Sequence, residues 1–317
     1  MQTLELGNTG KKVSALCFGA MRCGTLQNEK ESFAILDQYF EAGGRFIDTA
    51  NNYSYWYEGG QGGESETILG KWMKARDNRD QLFLATKVGF NTPRLGHGLS
   101  KEIIHKEFDG SLKRLQTDYV DLYYAHKDHR EDSLEETLET FNQLCEEGKV
   151  RHLGCSNMRA WRIAEACQLS QQEGWTAYCS VQQRHTYLRP RPGATFAPQL
   201  AANDDLLDYC QVHPEVSFLA YSPLLGGAYT RSDRSIPRQY QSADNEARLK
   251  VLKDVASDLN ATPNQVVLAW MLQGSPAVLP VISATTSKQL EENLGALNLT
   301  LNSDQLERLT SAGNPEA

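Results

Sequence analysis

The sequence predicts an α/β fold in which parallel strands and crossover helices close into one (β/α)8 barrel. Its 317 residues suit a single barrel of roughly 250 residues with long loops added. Short apolar runs alternate along the chain with amphipathic stretches, which favours a parallel sheet over an antiparallel sandwich. Polar residues follow several of these runs, and in a parallel barrel the chemistry gathers at such strand ends.

The first element is a hairpin that precedes the barrel. Residues Thr3 to Ser14 form two extended pieces around the turn Asn8-Thr9-Gly10, and we expect this hairpin to plug the barrel floor. Strand candidates follow, each an apolar run bounded by turn residues: Ala15–Gly19, Arg45–Asp48, Leu82–Lys87, Val120–Ala125, Val150–Cys155, Ala177–Val181, Val216–Tyr221 and Val278–Ile282.

Amphipathic stretches between these runs predict the crossover helices. They include Lys30–Ala42, Glu64–Lys74, Lys101–Leu115, Leu134–Glu147, Met158–Gln171 and Asp244–Leu259. Ser133, with Glu136 three residues later, resembles a capping box that begins one of them. No linker rich in Pro, Gly or Ser divides the chain, so the sequence predicts a single domain over residues 1–317 with a TIM-barrel architecture.

Four predicted loops at the strand ends are longer than the others. They cover residues 53–63, 89–100, 187–204 and 226–242, and they carry aromatic residues, arginines, Gly and Pro. Long loops on a rigid scaffold commonly carry binding residues. We therefore expect these loops to form the walls of a substrate pocket at the carboxyl-terminal face of the barrel.

Composition excludes several functional classes. The net charge of −8 argues against a nucleic-acid surface, which needs clustered Lys and Arg. No apolar run approaches the roughly 18 residues of a membrane span, and the N-terminus shows no secretory pattern. The 7 cysteines have no metal-ligand spacing. The sequence thus predicts a cytoplasmic protein with a small-molecule partner and without metal, nucleic acid or membrane; the oligomeric state stays open.

Four polar side chains at the strand ends form a candidate catalytic set. Asp48, Lys87 and His126 end successive strand candidates, and Tyr53 follows on the first loop. A phenol titrates near 10, so Tyr53 can act as a general acid at neutral pH. Lys87, held by the Asp48 carboxylate, would favour the phenolate, and the histidine could orient a carbonyl oxygen. Such a set can protonate an alkoxide as it forms, but it lacks a source of electrons.

Sequence blocks surround these residues along the whole chain. The blocks are Gly43-Gly-Arg-Phe-Ile-Asp-Thr-Ala-Asn-Asn-Tyr53, Gly63-Glu-Ser-Glu-Thr-Ile-Leu-Gly70, Ala85-Thr-Lys87, Val120-Asp-Leu-Tyr-Tyr-Ala-His126, Gly148-Lys-Val-Arg-His-Leu-Gly-Cys-Ser-Asn157, Val181-Gln182, Ala220-Tyr-Ser-Pro-Leu224 and Leu290-Glu-Glu-Asn293. Together they resemble the aldo-keto reductase family. The resemblance implies reduction of an aldehyde or ketone by hydride transfer from a nicotinamide coenzyme. It also implies that Tyr53 is the proton donor, with the other three polar residues as its partners.

The resemblance further implies groups of coenzyme contacts. The nicotinamide would be held by Ser156, Asn157, Gln182 and the stacked ring of Tyr221. The pyrophosphate would contact Ser222, Leu224 and Gly226. Strand ends touching the coenzyme would include Gly19, Ala20, Met21 and Asp48. The adenosine end would contact Ser283, Thr285, Gln289 and Asn293.

The adenosine end departs from the family pattern. Many members carry basic residues there that bind the 2′-phosphate of NADP(H), whereas Ser283 and Gln289 occupy those positions here. Hydroxyl groups and Lys288 could still bind a phosphate. We expect NADP(H) from its frequency in the family, with NAD(H) as the alternative.

Substrate contacts are expected on the long loops and the first strand end. Trp56, Arg22, Tyr187 and Arg189 would permit a polar, sugar-like carbonyl or alcohol. An NAD-dependent alcohol or sugar dehydrogenase, working in the oxidative direction, uses the same chemistry and stays open.

Two other functional classes compete with this interpretation. In an aldolase-like lyase Lys87 would form a Schiff base, but Asp48 and Tyr53 would keep it protonated and weaken it as a nucleophile. A non-catalytic accessory subunit would bind coenzyme and a protein partner. The intact four-residue set gives that role no support.

Overall fold

Ten strands and ten helices make up the part of the chain described by a computed structural model, residues 1–90 and 96–314. The strands are β1 Thr3–Glu5, β2 Lys12–Ser14, β3 Cys17–Gly19, β4 Phe46–Asp48, β5 Phe83–Val88, β6 Val120–Ala125, β7 Val150–Ser156, β8 Tyr178–Arg184, β9 Ser217–Tyr221 and β10 Val278–Ile282. The helices are α1 Glu29–Glu41, α2 Glu64–Arg76, α3 Lys101–Leu115, α4 Leu134–Glu146, α5 Ala160–Glu173, α6 Asp204–Val212, α7 Ala243–Asp258, α8 Pro263–Gln273, α9 Ser287–Gly295 and α10 Ser303–Ser311. Residues 91–95 of the predicted loop 89–100 lie outside the described residues.

Strands β3 to β10 close into a barrel, which confirms the predicted (β/α)8 architecture. Each barrel strand pairs in parallel with the next one along the chain, and β10 pairs with β3 to complete the ring. Parallel neighbours need a crossover connection, and the helices supply it on the outside of the barrel. The predicted strands are all present, with ends shifted by up to a few residues.

The amino-terminal hairpin closes the floor of the barrel, as predicted. Strands β1 and β2 pair antiparallel, and Leu6 and Val13 join the cluster of side chains inside the barrel. The backbone amide of Gly7 donates to the Ser217 hydroxyl at 2.7 Å, which ties the turn to the start of β9. Gly7 has a φ of 52°, and a Cβ atom there would overlap the Glu215 carbonyl. Glycine is therefore required for this close approach.

Side chains of each barrel strand alternate between the barrel interior and the helix layer. On β4, Phe46 lies in the interior cluster, whereas Ile47 packs in the core between strands and helices. On β5, Ala85 lies in the interior cluster. Side chains two residues apart on a strand point to the same side, so Asp48 and Lys87 also point into the barrel, at its carboxyl-terminal end.

Among the shifted boundaries, those of β8 and α5 have identifiable reasons. Strand β8 continues to Arg184, because its polar residues 182–184 stay paired with residues 219–221 of β9. Helix α5 begins at Ala160 rather than at Met158, because Arg159 has an extended backbone, with φ −77° and ψ 149°, and is the N-cap residue. The helix can start only after this residue.

Within the described ranges, no helix combines the length and apolar character needed to cross a membrane. Over the same ranges, no cluster of three or more His, Cys, Asp or Glu side chains is arranged to hold a metal ion.

Candidate active site

A cleft of about 690 Å³ lies at the carboxyl-terminal ends of the barrel strands. Strand ends form its floor, and segments 52–56, 196–199 and 221–231 contribute to its walls. Most predicted site residues line it: Gly19, Met21, Arg22, Asp48, Tyr53, Trp56, His126, Ser156, Asn157, Gln182, Tyr221, Ser222, Leu224, Gly226, Ser283, Gln289 and Asn293. Residues from most of the length of the chain therefore line a single cleft.

Two of the predicted coenzyme contacts do not line this cleft. Ala20 is fully buried, and its carbonyl accepts the hydroxyl of Ser65 at 2.8 Å. Thr285 donates both its backbone amide and its hydroxyl to Oε1 of Gln289, at 2.8 and 3.0 Å. Thr285 thus holds the lining residue Gln289 from behind, whereas Ala20 packs beneath the cleft.

The predicted substrate contact Tyr187 does not line the cleft either. Its ring is buried edge-on against Trp270 with a centroid distance of 5.3 Å, and the Arg248 guanidinium covers it at 4.2 Å. Arg189, from the same loop, donates to the Thr310 carbonyl at 3.2 Å near the end of α10. Neither aromatic character nor a position in a long loop shows whether a side chain lines the pocket or packs beneath the loop.

The Lys87 ammonium lies directly behind the cleft and is fully buried. It donates to Oδ2 of Asp48 at 2.6 Å, to the Thr49 carbonyl at 2.6 Å and to the Tyr53 phenolic oxygen at 3.0 Å. These contacts use all three ammonium hydrogens. A further bond reaches Asp48 from Gln182, whose Nε2 atom donates to Oδ1 at 2.8 Å. The side chains therefore form one continuous hydrogen-bonded group.

Strand register explains why these side chains meet. Asp48 ends β4 and pairs with Ala85 on β5, so Lys87 lies two residues further along the same inner face. His126 follows the last residue of β6, and its amide donates to the Val88 carbonyl at 2.8 Å. Short backbone turns follow β4, and in one of them the Tyr53 amide donates to the Ala50 carbonyl at 3.3 Å. These turns place the Tyr53 phenol over the strand ends.

Burial sets the direction of the pKa shifts in the site. It raises the pKa of Tyr53 well above 10, and the neighbouring Asp48 carboxylate adds to the rise. Burial lowers the pKa of Lys87, against the opposing attraction of Asp48. It also lowers the pKa of His126 well below 6.5, with a further contribution from the Lys87 charge. Burial and the Asp48 carboxylate therefore both favour the protonated phenol in this state.

Aromatic side chains surround the phenol and the imidazole. Trp56 is 45% exposed and lies edge-on to Tyr53 at a ring distance of 6.1 Å, and Phe90 lies edge-on to His126 at 4.7 Å. Phe196 lines the same cleft from the loop after β8. The sequence prediction missed Phe90 and Phe196. Phe90 follows β5 by two residues, so its position at a strand end is the signal that could have identified it.

Polar groups suited to an amide ligand lie at the ends of β7, β8 and β9. The Ser156 hydroxyl accepts from Nδ2 of Asn157 at 3.0 Å and keeps its own hydrogen for another partner. Gln182 uses one Nε2 hydrogen on Asp48 and faces the cleft. The Tyr221 ring lines the cleft while its hydroxyl donates to Oδ1 of Asn157 at 2.8 Å.

The turn after β9 has the backbone of an anion site. Leu224, with φ −104° and ψ 8°, is followed by left-handed Leu225, Gly226 and Gly227, with φ values of 51°, 69° and 92°. A right-handed residue followed by a left-handed one can turn successive N–H groups toward one side as an anion-binding concavity. Here the amides of Leu225 and Gly227 donate within the turn, to the Ser222 and Leu224 carbonyls at 3.2 and 2.8 Å, so Gly226 between them is the amide left for an anion. Arg231 lines the cleft nearby and pairs with the carboxylate of Asp233, which is exposed.

The opposite end of the cleft lies at the start of α9. Ser283, Gln289 and Asn293 line it as predicted, and Glu292 joins them without having been predicted. None of these four residues carries a positive charge. Lys288, the nearest basic residue along the helix, is exposed beside this end.

Two further arginines, Arg22 and Arg184, line the cleft. Arg22 follows β3, and its Nε atom is buried with no hydrogen-bond partner in the described part of the chain. Arg184 ends β8 and donates to Oε1 of Gln199 through Nε and Nη2, at 3.3 and 2.6 Å. Both side chains therefore have donors to offer a polar ligand.

Comparisons with known proteins agree with this geometry. The profile of the Aldo/keto reductase family matches residues 15–314. The uncharacterized oxidoreductase YrpG of Bacillus subtilis (strain 168) is 31% identical, covering 98% of this chain and 95% of its own. The aryl-alcohol dehydrogenase GME11368 of Pestalotiopsis microspora is 30% identical, covering 94% of this chain and 78% of its own.

A solved structure is similar over the whole chain. The crystal structure of the thermostable aldo-keto reductase Tm1743, in complex with the inhibitor epalrestat, aligns with a TM-score of 0.77 and 28% identity. The alignment covers 98% of this chain and 100% of the other.

Proposed function

The chain belongs to the aldo/keto reductase family, and from this premise we propose that it reduces an aldehyde or ketone to an alcohol with a nicotinamide coenzyme. One observation carries the proposal. The Tyr53 phenol lines the cleft while its oxygen lies 3.0 Å from the Lys87 ammonium, which Asp48 holds in place. Relatives described as an oxidoreductase and a dehydrogenase, matched over nearly the whole chain, support the same class of chemistry.

The cleft offers groups suited to each part of such a coenzyme. When bound, a nicotinamide coenzyme supplies the hydride that adds to the carbonyl carbon. The Ser156 hydroxyl and the Gln182 amide are partners of the right kind for a carboxamide, and the Tyr221 ring offers a flat apolar face. In the turn 222–227, the Gly226 amide and the Ser222 hydroxyl are the groups proposed to contact a pyrophosphate.

Tyr53 is the proposed proton donor. Its raised pKa keeps the phenol protonated at neutral pH. The hydroxyl proton passes to the carbonyl oxygen as that oxygen gains negative charge, and transfer is favourable because an alkoxide is a stronger base than a phenolate. The phenolate left behind faces the Lys87 ammonium at 3.0 Å, which stabilises it.

His126 is the proposed orienting donor. Its lowered pKa leaves the imidazole neutral near pH 7, with one N–H group to donate. A neutral donor orients the carbonyl oxygen and leaves protonation to the phenol. The rings of Tyr53 and Phe90, at 5.9 and 4.7 Å, hold the imidazole edge-on from two directions.

We propose NADP(H) as the preferred coenzyme. The family resemblance supports it, and so does the start of α9, where a helix amino terminus favours an anion. Hydroxyls of Ser283 and Thr286 and the Lys288 ammonium lie on this segment. They would bind a 2′-phosphate more weakly than a bidentate arginine does, so we expect a modest preference over NAD(H).

The lining near Tyr53 supports a carbonyl substrate that is both aromatic and polar. Trp56, Phe90 and Phe196 offer apolar ring faces and edges, and Arg22 and Arg184 offer donors. A relative described as an aryl-alcohol dehydrogenase supports the aromatic part. Sugar-like carbonyls share the polar part, and oxidation of the matching alcohol is the same chemistry in reverse.

The geometry disfavours Lys87 as a Schiff-base nucleophile. All three of its hydrogens are donated to Asp48, Thr49 and Tyr53, and its side chain is fully buried. Borohydride trapping with an aldehyde substrate distinguishes the two classes. We expect no covalent adduct at this residue.

The decisive experiment is a coenzyme-oxidation assay with the purified protein. Aromatic aldehydes, aryl ketones and sugar aldehydes are supplied in turn with NADPH or NADH, and loss of reduced coenzyme is compared with alcohol formed. We expect one alcohol per coenzyme oxidised for at least one aromatic carbonyl. Coenzyme binding without turnover on any carbonyl, or absence of binding, would overturn the proposal.

A further inference from the structure

The Arg184 guanidinium lines the cleft in a fixed orientation. Arg184 is the last residue of β8, and its Nε and Nη2 atoms donate to Oε1 of Gln199 at 3.3 and 2.6 Å. A guanidinium has five N–H hydrogens, and three of these, both on Nη1 and one on Nη2, make no hydrogen bond to the described residues. The side chain is half-buried and protein atoms do not enclose Nη1, so these donors can reach a ligand in the cleft.

Aromatic side chains hold the guanidinium in place. Its central carbon atom lies 5.2 Å from the ring centroid of Phe196 and 5.5 Å from that of Tyr221. At such distances the face of an aromatic ring attracts a cation. Burial raises the pKa of the Tyr221 and Tyr240 hydroxyls, and the Arg184 charge opposes that rise. A positive charge is therefore built into this wall of the cleft.

Backbone bonds fix the position of Arg184 relative to the reaction site. Gln182, the proposed partner of the nicotinamide carboxamide, lies two residues earlier on the same face of β8, so Arg184 follows it by roughly 6.6 Å along the strand. The Arg184 amide donates to the Leu200 carbonyl at 3.3 Å, and its carbonyl accepts from the Ala202 amide at 2.8 Å. The charge therefore lies beyond the nicotinamide end, at a defined height above the barrel.

The outer edge of the guanidinium has the geometry of a carboxylate site. Nη1 and Nη2 each keep a hydrogen, and this pair of N–H groups matches the two oxygens of a carboxylate. The Gln199 side chain is neutral, so it orients the Arg184 charge without neutralising it. The Phe196 ring beside the charge offers an apolar surface for a planar carbon frame. An aromatic anion would contact both features at once.

We propose that Arg184 is a specificity-determining residue that selects aromatic aldehydes and ketones carrying a carboxylate. The carboxylate would pair with the outer edge of the guanidinium, while the carbonyl group faces Tyr53 and His126. A neutral carboxamide would make weaker hydrogen bonds to the same donors, because charge-assisted bonds are the stronger kind. The inference rests on the proposed function and narrows its substrate class from polar aromatic carbonyls to aromatic oxo acids.

The test compares matched substrates in the wild type and in Arg184→Met. The para- and meta-formylbenzoates are each paired with the corresponding formylbenzamide, which has a similar shape and no charge. We expect the wild type to have the higher kcat/KM for the carboxylate in at least one pair. In Arg184→Met the ratio of carboxylate to carboxamide kcat/KM should fall about tenfold or more, because a charge-assisted partner is lost. The intrinsic reactivity of the two aldehydes cancels when the ratios of the two proteins are compared.

Arg22→Met is the matched control, since it removes the same charge from another position that lines the cleft. Its ratio should stay within about threefold of the wild-type ratio, because solvent and salt screen a charge that the carboxylate does not contact. Equal falls in Arg22→Met and Arg184→Met would show that only the net charge of the cleft matters, and would overturn the assignment.

A milder variant guards against misfolding of Arg184→Met. Gln199→Leu keeps the Arg184 charge and removes only the bonds that orient it, so the ratio should fall by a smaller factor. Circular dichroism verifies that each variant is folded. Should Arg184→Met not fold, Gln199→Leu decides the matter, and an unchanged ratio in that variant would overturn the inference.

Coenzyme titration separates substrate recognition from coenzyme binding. We expect the coenzyme Kd of Arg184→Met to stay within about threefold of the wild-type value. A loss of about tenfold or more would assign the guanidinium to the coenzyme and overturn the inference. Reduction of carbonyls with the same ratio in wild type and Arg184→Met would also overturn it, and the proposed function would stand. If the wild type reduces no carbonyl, the proposed function fails and this inference falls with it.

Discussion

The Nζ atom of Lys87 lies 2.6 Å from Oδ2 of Asp48, and the two side chains are 0% and 1% exposed. Burial of such a pair costs the hydration free energy of both charges. Only a short ion pair with additional hydrogen bonds offsets that cost. The Thr49 carbonyl, the Tyr53 phenol and the Gln182 amide provide those bonds. The same contacts that compensate for burial also aim the ammonium at the phenol.

Tyr53→Phe tests the proton donor. Removing the hydroxyl deletes the acid and keeps the ring, so we expect kcat for carbonyl reduction to fall by about 10²–10⁴. Coenzyme affinity should change by less than about threefold, because the loss concerns only the transition state. Steady-state kinetics and a fluorescence titration measure the two effects. Turnover near the wild-type rate would remove Tyr53 from the mechanism.

Asp48→Asn tests the buried ion pair. It leaves the Lys87 charge buried without its counter-ion, so we expect the free energy of unfolding to fall by about 3–5 kcal/mol. Urea denaturation at neutral pH measures the loss. The double variant Asp48→Asn with Lys87→Met removes both charges and should recover most of that stability while staying inactive. A double variant no more stable than the single one would show that the geometry of the site, rather than an unpaired charge, sets the cost.

His126 makes stability depend on pH. Its pKa in the folded protein lies well below the 6.5 of the free group. As pH falls below about 6.5 the unfolded chain takes up a proton that the folded protein does not, so stability falls by about 1.4 kcal/mol per pH unit until the folded pKa is reached. Comparing urea midpoints at pH 7 and 5.5 (chosen to span about one unit of the titration) should show a smaller loss in His126→Gln than in wild type. Equal losses would assign the effect to other groups, such as His185, whose pKa burial lowers to about 4.

Gln289→Arg tests the adenosine end. A guanidinium at this lining position would pair with a 2′-phosphate, so we expect the ratio of NADH to NADPH dissociation constants to rise about tenfold, or about 1.4 kcal/mol. Gln289→Met is the matched control, since it has similar length and no charge. Titration of each variant with both coenzymes gives the ratio. A ratio that does not change would place the 2′-phosphate away from this helix.

The sequence predicts the scaffold well because barrel strands combine a short apolar run with a turn, and both signals are local. The four polar strand-end residues follow from the same signal, and the structure brings them into hydrogen-bonded or ring contact. Contacts that depend on loop conformation do not follow from it. Tyr187 turns inward against Arg248, whereas Phe196, from the same connection, faces the cleft. Only tertiary packing separates these two aromatic residues.

Asn157 shows a second limit of sequence reasoning. A family pattern identifies the residue as important, but it cannot show how many partners its amide already has. That number depends on the Leu200 amide, 43 residues away, and on the Tyr221 hydroxyl, 64 residues away. Long-range bonds of this kind are set by how the loops fold over the strand ends.

Leu6 and Val13 belong to the buried cluster inside the barrel, so the described part of the chain closes its amino-terminal end. Substrate would therefore enter, and product would leave, through the carboxyl-terminal face of the barrel. A coenzyme would lie across the same face. Under the proposed function, product release and coenzyme exchange would share this entrance. We expect the rate of that exchange, rather than the chemical step, to limit turnover.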